Sequence, residues 1–545
     1  MIRIEGLRFA YPGREPALAG VDLAVGPGEY VLLAGPSGSG KSTLLKCLNG
    51  LIPHFHAGDL AGRVVVAGRD VADHPPAAMF DAVGLVPQNA AAALFNSTVE
   101  NEIAFGLESL GVAREDIGPR VAAAAAAVGL SARLGQAPHT LSGGEQGRLA
   151  VAAALAARPG VLALDEPFAQ LDPEMAERLR LVLKDLAAAG VTVVVAEHRL
   201  GPVVADAGRL VVLESGRVVR DGPPGQVLAE DLRPLGINLP LPVRVAHELG
   251  LAPVPLTLEA LVARLPAGRP AAGSPPADAA ATGSGLAAAG AEVLALAHVD
   301  VDAAGVRLLS DVSLAVAQGE TAAVLGRNGA GKTTLLLHLD GLCRPPRGQV
   351  RVLGRDIAGR PVSAVAREVG LVFQNPGDQL FRPTVREELE VGPRAVGRLD
   401  RARLDDLVAR FGLGPLLDRS PFRLSEGEKK RVSFAAALAA GPPALLLDEP
   451  SIGQDETFRA ALVALLADLA REGRAVLVAT HDLELADQVA GRWIVLAGGR
   501  VAADGAPAEV VRDPAALAAA GLRPGGRAWL DRLLAGVAAQ GGSAR

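Results

Sequence analysis

Ile2, Ile4, Leu7 and Phe9, followed by Val21 and Leu23, stand at the alternate spacing of strands that bury one face. Residues 31–34 form a short apolar run that leads into a glycine-rich turn, and residues 42–49 behind it read as a helix. Two further largely apolar runs, 161–164 and 191–196, have the composition of parallel strands covered on both faces. The series then restarts near Glu292 and passes through 322–325, 444–447 and 475–479. Strands and helices in this order, written twice, predict an α/β chain with two copies of one fold.

The divisions follow from composition. A first domain is expected at 1–230, a small ordered extension at 231–265, and a second domain at 291–515. Residues 266–290 are Ala, Gly, Pro and Ser with little else, too poor in large apolar groups to fold alone, and read as a flexible linker. A helical tail is expected at 516–545, where Leu522, Trp529, Leu530, Leu533 and Leu534 give a weakly amphipathic docking helix. No run reads as a membrane span: 82–99 is interrupted by Pro87-Gln88-Asn89 and Asn96-Ser97-Thr98, and 432–447 is broken at Gly441-Pro442-Pro443, short of the ~18–20 apolar residues required. The N-terminus lacks the basic flank and apolar core of a signal peptide.

At 545 residues, 50% of them hydrophobic, the chain can bury at least two cores. A net charge of −6 and a pI near 5.9 leave no basic footprint, so no nucleic-acid partner is expected. Cys47 and Cys343 fall in different halves without zinc spacing and read as reduced thiols. His54-Phe55-His56 is expected to be a loop, since metal coordination needs more ligands than this pair supplies.

The chemistry is carried by motifs that recur in one order. Gly35-Pro36-Ser37-Gly38-Ser39-Gly40-Lys41-Ser42-Thr43 returns as Gly326-Arg327-Asn328-Gly329-Ala330-Gly331-Lys332-Thr333-Thr334. Gln88-Asn89 returns as Gln374-Asn375, Ser142-Gly143-Gly144 as Ser425-Glu426-Gly427, Asp165-Glu166 as Asp448-Glu449, and His198 as His481. From Ser142, Asp165, Glu166 and His198 to their counterparts the separation is always 283 residues.

A Gly-x-x-x-x-Gly-Lys-Ser/Thr turn between a buried strand and a helix is a phosphate cradle, because glycines let backbone N–H groups converge and the helix start adds positive potential. Lys41 and Lys332 would neutralise phosphates, while Ser42 and Thr333 would place a hydroxyl on Mg²⁺. Asp165 and Asp448 end apolar runs, where a carboxylate can complete the Mg²⁺ shell. Strand alternation is expected to point Glu166 and Glu449 elsewhere, towards an attacking water. His198 and His481 follow the next apolar run. Gln88 and Gln374 stand where a mobile loop can bring them to metal or water. Ser142 and Ser425 open breaker-free helices, each either a second anion site or a plain serine cap.

In this order the motifs resemble the ATP-binding cassette (ABC) family, across both halves. The resemblance implies an ATPase with ATP and Mg²⁺ as cofactors, built as two tandem P-loop NTPase domains. Each would hold a mixed, mostly parallel sheet, an antiparallel β subdomain and a helical subdomain. It implies head-to-tail pairing of the two halves. Site one would join Lys41, Ser42, Gln88, Asp165, Glu166 and His198 to Ser425 and Gly427. Site two would join Lys332, Thr333, Gln374, Asp448, Glu449 and His481 to Ser142, Gly143 and Gly144. Glu166, Glu449, His198, His481, Gln88 and Gln374 would be catalytic; Ser42, Gln88, Asp165, Thr333, Gln374 and Asp448 would face the metal.

Residues 373–385, 49–55 and 96–106 are similar to the energy-coupling factor (ECF) ATPases. This narrower likeness implies import of a vitamin or transition-metal ion, with a transmembrane coupling protein and a small substrate-binding membrane protein as partners, at the cytoplasmic face of the cell membrane. Ribosome-acting twin cassettes usually carry a long charged linker, whereas 266–290 holds only Arg269 and Asp278 as charges. Sugar-importer twin ATPases often have one degenerate site, whereas both Asp-Glu pairs survive here.

The copies also depart from the family. Tyr11 stands where the family stacks an aromatic ring on adenine, but its counterpart is Asp302, which predicts weaker nucleotide binding at site two. Glu426 replaces a signature glycine and is expected to bring a carboxylate near the γ-phosphate of site one. Residues 451–455 lack the Leu-Asp that the first half keeps at Leu171-Asp172. Both sites are expected to hydrolyse ATP, unequally.

Overall fold

The computed structural model describes residues 1–169, 171, 173–265, 290–303, 305–452, 454 and 456–522. The linker expected at 266–290 lies outside the described residues apart from Gly290, as do Trp529, Leu530, Leu533 and Leu534 of the tail. So do Gln170, Asp172, Gly453 and Asp455. The described residues divide into two compact units, one built on Met1–Arg264 and the other on Leu265–Ile452 with the chain from Phe458.

In the first unit a six-stranded sheet runs in the order Arg217–Gly222, Arg209–Glu214, Tyr30–Ala34, Thr192–Ala196, Val161–Asp165, Val83–Val86. Its pairings are parallel except at the edge hairpin Arg209–Glu214 with Arg217–Gly222. The three central strands are buried at every position, as their unbroken apolar runs require. A four-stranded antiparallel sheet, in the order Pro16–Val25, Ile2–Ala10, Asp59–Val66, Arg69–Asp70, supplies the alternating strands. Apolar groups fill both sides of the large sheet, one side closed by the helices Val99–Ser109, Arg114–Ala127 and Gly143–Ala156. Cutting a buried leucine such as Leu32 or Leu164 to alanine would cost roughly 2–5 kcal/mol. The extension folds as Leu241–Leu249 and Leu258–Val262, and Val243, Ala246 and Val254 are buried in this core.

The second unit repeats both sheets. Its large sheet runs Val369–Val372, Ala444–Asp448, Ala475–Thr480, Thr321–Leu325, Arg492–Ala497, Arg500–Gly505, and its antiparallel sheet runs Val306–Ala317, Glu292–Ala303, Val350–Val352, Arg355–Asp356. The helix Pro514–Ala519 straddles the expected 515/516 boundary, and its Leu517 packs with Leu522 in the cluster around the fully buried Trp493. The helix expected at 42–49 is Lys41–Leu48. Among the described residues no helix is long and apolar enough to cross a membrane. Cys47 is buried and Cys343 half-buried, both free thiols.

Candidate functional site

The parallel register puts the candidate residues side by side. Leu33 pairs with Ala196 and Asp165 with Ala196, so the turns that leave these three strands emerge at one edge. Two hydrogen bonds continue the ladder past it: Glu197 N donates to Leu33 O at 3.0 Å, and Glu166 N to Ala196 O at 2.9 Å. The carboxyl ends of adjacent parallel strands are where α/β sheets bind ligands.

The phosphate turn begins at this edge. Gly40 and Gly331, with φ of 104° and 101°, cap the helices Lys41–Leu48 and Lys332–Leu339 in the left-handed conformation without a side-chain cap, leaving the first N–H groups for an anion. A Cβ on Gly40 would stand 2.5 Å from Ala17 O, and one on Gly331 2.8 Å from Leu308 O, so glycine is required there on two counts. Lys41 Nζ donates to Gly35 O at 2.7 Å and Pro36 O at 3.1 Å; Lys332 Nζ donates to Gly326 O at 2.7 Å and Arg327 O at 3.2 Å. Both ammonium groups are buried inside their own turns.

Ser42 hydrogen-bonds Asp165, and Thr333 Oγ1 donates to Asp448 Oδ2 at 2.7 Å. Each aspartate keeps its other oxygen, Oδ1, buried and without a hydrogen-bond partner. Burial raises the Asp165 carboxyl to about 6 and raises that of Asp448 as well. An orphaned carboxylate oxygen beside a hydroxyl suits a hard divalent cation, whose charge would reverse that shift. Among the described residues no three His, Cys, Asp or Glu side chains are grouped to hold a metal, so such a cation would complete its shell with phosphate and water.

Glu166 and Glu449 differ from the strand-alternation expectation. Their φ values are 50° and 44°, so the chain has already left the strand and a left-handed turn directs each side chain. Glutamate in that conformation is strained by roughly 1–3 kcal/mol, a cost that collects at functional turns. The turn aims Glu166 Oε1 to 3.0 Å from His198 Nε2, which lies 3.5 Å from Lys41 Nζ. In the second unit Glu449 Oε1 lies 2.9 Å from His481 Nδ1 and 3.3 Å from Lys332 Nζ, while Oε2 accepts from Thr480 Oγ1 at 3.0 Å. Burial pushes the Glu449 carboxyl up, but His481 and Lys332 outweigh it and hold it at about 2. The lysine, aspartate, glutamate and histidine of each half therefore meet within one unit, while the histidines present different ring nitrogens.

Gln88 and Gln374 are exposed, each just beyond the strand next to the aspartate strand. Ser142 and Ser425 are exposed N-caps of Gly143–Ala156 and Glu426–Ala439, each closing a capping box with Glu145 or Glu428. The serine-cap reading therefore holds in both copies, and the Gly143, Gly144 and Gly427 backbone follows at the helix start. Glu426 is paired with Lys429 at 2.7 Å, so the carboxylate expected near a γ-phosphate carries its own counter-charge. Tyr11 packs edge-on against Phe9 and places its hydroxyl 3.4 Å from Thr43 Oγ1, next to the cradle. Asp302 instead pairs with Arg307 at 2.6 Å across a hairpin. His54 Nε2 lies 2.9 Å from Val71 O, so one histidine of the expected loop pair is tied to backbone.

Three groups were not singled out in the sequence. Glu102 and Glu388, both buried, accept two N–H groups each, from Phe95 and Asn96 and from Phe381 and Arg382. They hold Phe95 and Phe381 outward, 67% and 62% exposed, on the segments that follow Gln88 and Gln374. Lys430, fully buried, donates to Phe373 O at 2.9 Å and Gln374 O at 3.0 Å. Glu197 lies buried beside His198. Superposing the two copies at 283 residues exposes the last two, since Lys430 faces Gly147 and Glu197 faces Thr480.

Comparison with known proteins agrees with this architecture. The ABC transporter family profile matches residues 18–169 and 309–452. A Streptomyces coelicolor protein named "Putative ABC transporter ATP-binding protein" is 40% identical over 556 residues, covering 94% of this chain and 95% of its own. A Methanosarcina acetivorans protein of the same name is 36% identical over 557 residues, covering 96% and 88%. The solved structure titled RNase-L Inhibitor shares the fold at 21% identity, with a TM-score of 0.59 over 94% of this chain and 92% of that one.

Proposed function

Because this chain belongs to the ABC transporter family, as an ATPase with two tandem cassettes, we propose that it is the energy-coupling subunit of a membrane importer of the ECF type, for a vitamin or a transition-metal ion. The observation that carries the reading is that both units bring a complete Lys, Asp, Glu and His set to the strand ends, so neither site is degenerate. The ECF assignment rests on residues 373–385, 49–55 and 96–106.

Bound Mg²⁺-ATP supplies an electrophilic γ-phosphoryl group with its charge spread over metal and protein. Lys41 and Lys332 would neutralise the phosphate oxygens, and Ser42 with Asp165, or Thr333 with Asp448, would hold the cation. Glu166 and Glu449 take the proton of the attacking water, and His198 and His481 keep those carboxylates in place. Gln88 and Gln374 sense whether the site is filled. Head-to-tail pairing of the halves, which the family resemblance implies, would let Ser425 and Gly427 complete site one and Ser142, Gly143 and Gly144 complete site two. Closure on ATP and reopening after hydrolysis then drive the partner.

The outward Phe95 and Phe381 give the coupling protein apolar purchase beside each glutamine. A tagged pull-down from native membranes in mild detergent tests the assignment. Recovery of a multi-span protein with a small membrane protein is expected; recovery of ribosomes, with nothing from membranes, would overturn it.

A further inference from the structure

We propose that Glu197 is the positioning residue that makes the two ATP sites unequal, by fastening the turn that carries Glu166 and placing a second carboxyl group beside it. The inference rests on the reading of Glu166 and Glu449 as the water-activating bases.

Both copies place a histidine directly after this position, but the residues around it differ: Phe168, Glu197 and Arg199 stand where the second copy has Ser451, Thr480 and Asp482. Glu197 follows the strand Thr192–Ala196, Thr480 ends the strand Ala475–Thr480, and each directly precedes the histidine. Thr480 is buried, and its hydroxyl donates to Glu449 Oε2 at 3.0 Å, so the second cassette gives its glutamate a neutral donor. Glu197 is 2% exposed and does something else: its Oε1 accepts the Phe168 N–H at 3.0 Å. Phe168 lies two residues beyond Glu166, inside the turn that the left-handed Glu166 begins. The carboxylate thus pins the far end of that turn, while the Glu166 N–H bond to Ala196 O pins the near end.

A carboxylate at this depth needs its charge answered. The groups that face it are Glu166 from the adjacent strand end, Tyr30 from the strand on the other side, and Arg199 next along the chain. Behind Tyr30 lie Asp206 and Arg180, which pair with each other. Arg199 and the Phe168 N–H favour the ionised form; burial and Glu166 oppose it and prevail, lifting Glu197 to about 8. Near neutral pH Glu197 is therefore protonated. Above pH 8 it ionises and adds a negative charge next to Glu166, against the incoming γ-phosphate. In the second cassette the residue is a threonine, and the nearby buried carboxylate, Asp482, is paired with Arg459 at 3.5 Å.

The test uses the full chain and Mg²⁺-ATP, with phosphate release followed from pH 6.5 to 9.5. Glu449→Gln silences the second site and isolates the first. In that background kcat/KM is expected to fall by roughly tenfold per pH unit once Glu197 ionises above about 8. Glu197→Gln, which keeps the shape and an acceptor for Phe168 N–H, removes that fall, as does Glu197→Thr. In the Glu166→Gln background, which isolates the second site, Glu197→Gln leaves the profile unchanged. If the fall persists in Glu197→Gln, or is equally present at the isolated second site, the assignment is overturned. Phosphate release by the Glu166→Gln/Glu449→Gln double variant would overturn the reading of the two glutamates as bases, which distinguishes the two failures.

Discussion

Replacing Glu449 with glutamine is expected to weaken the second unit in a way that depends on pH. The folded carboxyl is held at about 2, against an ordinary value of 4.5. A depressed carboxylate contributes stability that is fully present above its unfolded pKa and fades as pH falls towards the folded one. A tenfold change in proton affinity corresponds to ~1.4 kcal/mol, so the ionised, paired Glu449 contributes about 3 kcal/mol at pH 7. Glu449 is 3% exposed, so solvent screening removes little of this. Glu449→Gln is therefore expected to lose about 3 kcal/mol at pH 7, and the gap to the parent should halve near pH 3. Trp493, wholly buried in the second unit, reports that unit's unfolding by fluorescence in urea; Trp529→Phe removes the other tryptophan. A gap below about 1 kcal/mol at pH 7, or one that widens below pH 4.5, would refute the pairing of Glu449 with His481 and Lys332 as its cause.

Other outcomes follow from the same geometry. Lys332→Ala, which leaves site one intact, should bind a fluorescent ATP analogue about tenfold more tightly than Lys41→Ala, and adding Tyr11→Ala to Lys332→Ala should remove the advantage, since one aromatic stack is worth ~1–3 kcal/mol; equal affinities would refute the role of Tyr11. Lys430→Gly copies the first cassette, with Gly147 in that position, and should speed hydrogen exchange of the loop at Gln374 by about tenfold or more, since two charge-assisted bonds are lost; an unchanged loop would count against the lysine as its anchor. Phe95→Ala with Phe381→Ala should cut recovery of membrane partners while leaving detergent-free ATP hydrolysis within about twofold. Loss of hydrolysis instead would place these rings in folding rather than docking.

The fold was legible because each half states it independently. The unbroken apolar runs gave the buried parallel strands, and the alternating start of each half gave the antiparallel sheet. Cradle and aspartate positions were legible because glycine, lysine and a strand-ending carboxylate leave few geometries open. The direction of Glu166 and Glu449 was not, because alternation stops at the strand end and their left-handed φ comes from the ladder bonds across to Ala196 and Ala479. Lys430 and Glu197 escaped because each looks ordinary in its own helix or loop; their meaning lies in what the fold packs against them and in the unlike residue of the other copy. Glu102 and Glu388 escaped for a related reason, since a glutamate in a first helical turn is unremarkable until its carboxylate is found bonded to N–H groups seven residues upstream.

The outward aromatic positions have a consequence for symmetry. In the first unit Phe95 meets Phe105 edge to face, with ring centroids 4.9 Å apart. In the second Phe381 is covered instead by the Arg382 guanidinium, 5.0 Å from the ring centre, and valine stands where Phe105 does in the first. A homodimeric motor must offer the same patch twice, and a two-fold symmetric receiver can fit it. This chain offers one neutral, wholly aromatic patch and one capped by a positive charge. A receiver that engages both at once has to bring two unlike segments, one apolar and one able to tolerate or answer a cation. On the proposed importer reading, fusing the two cassettes into a single polypeptide fixes which of the partner's segments meets which patch.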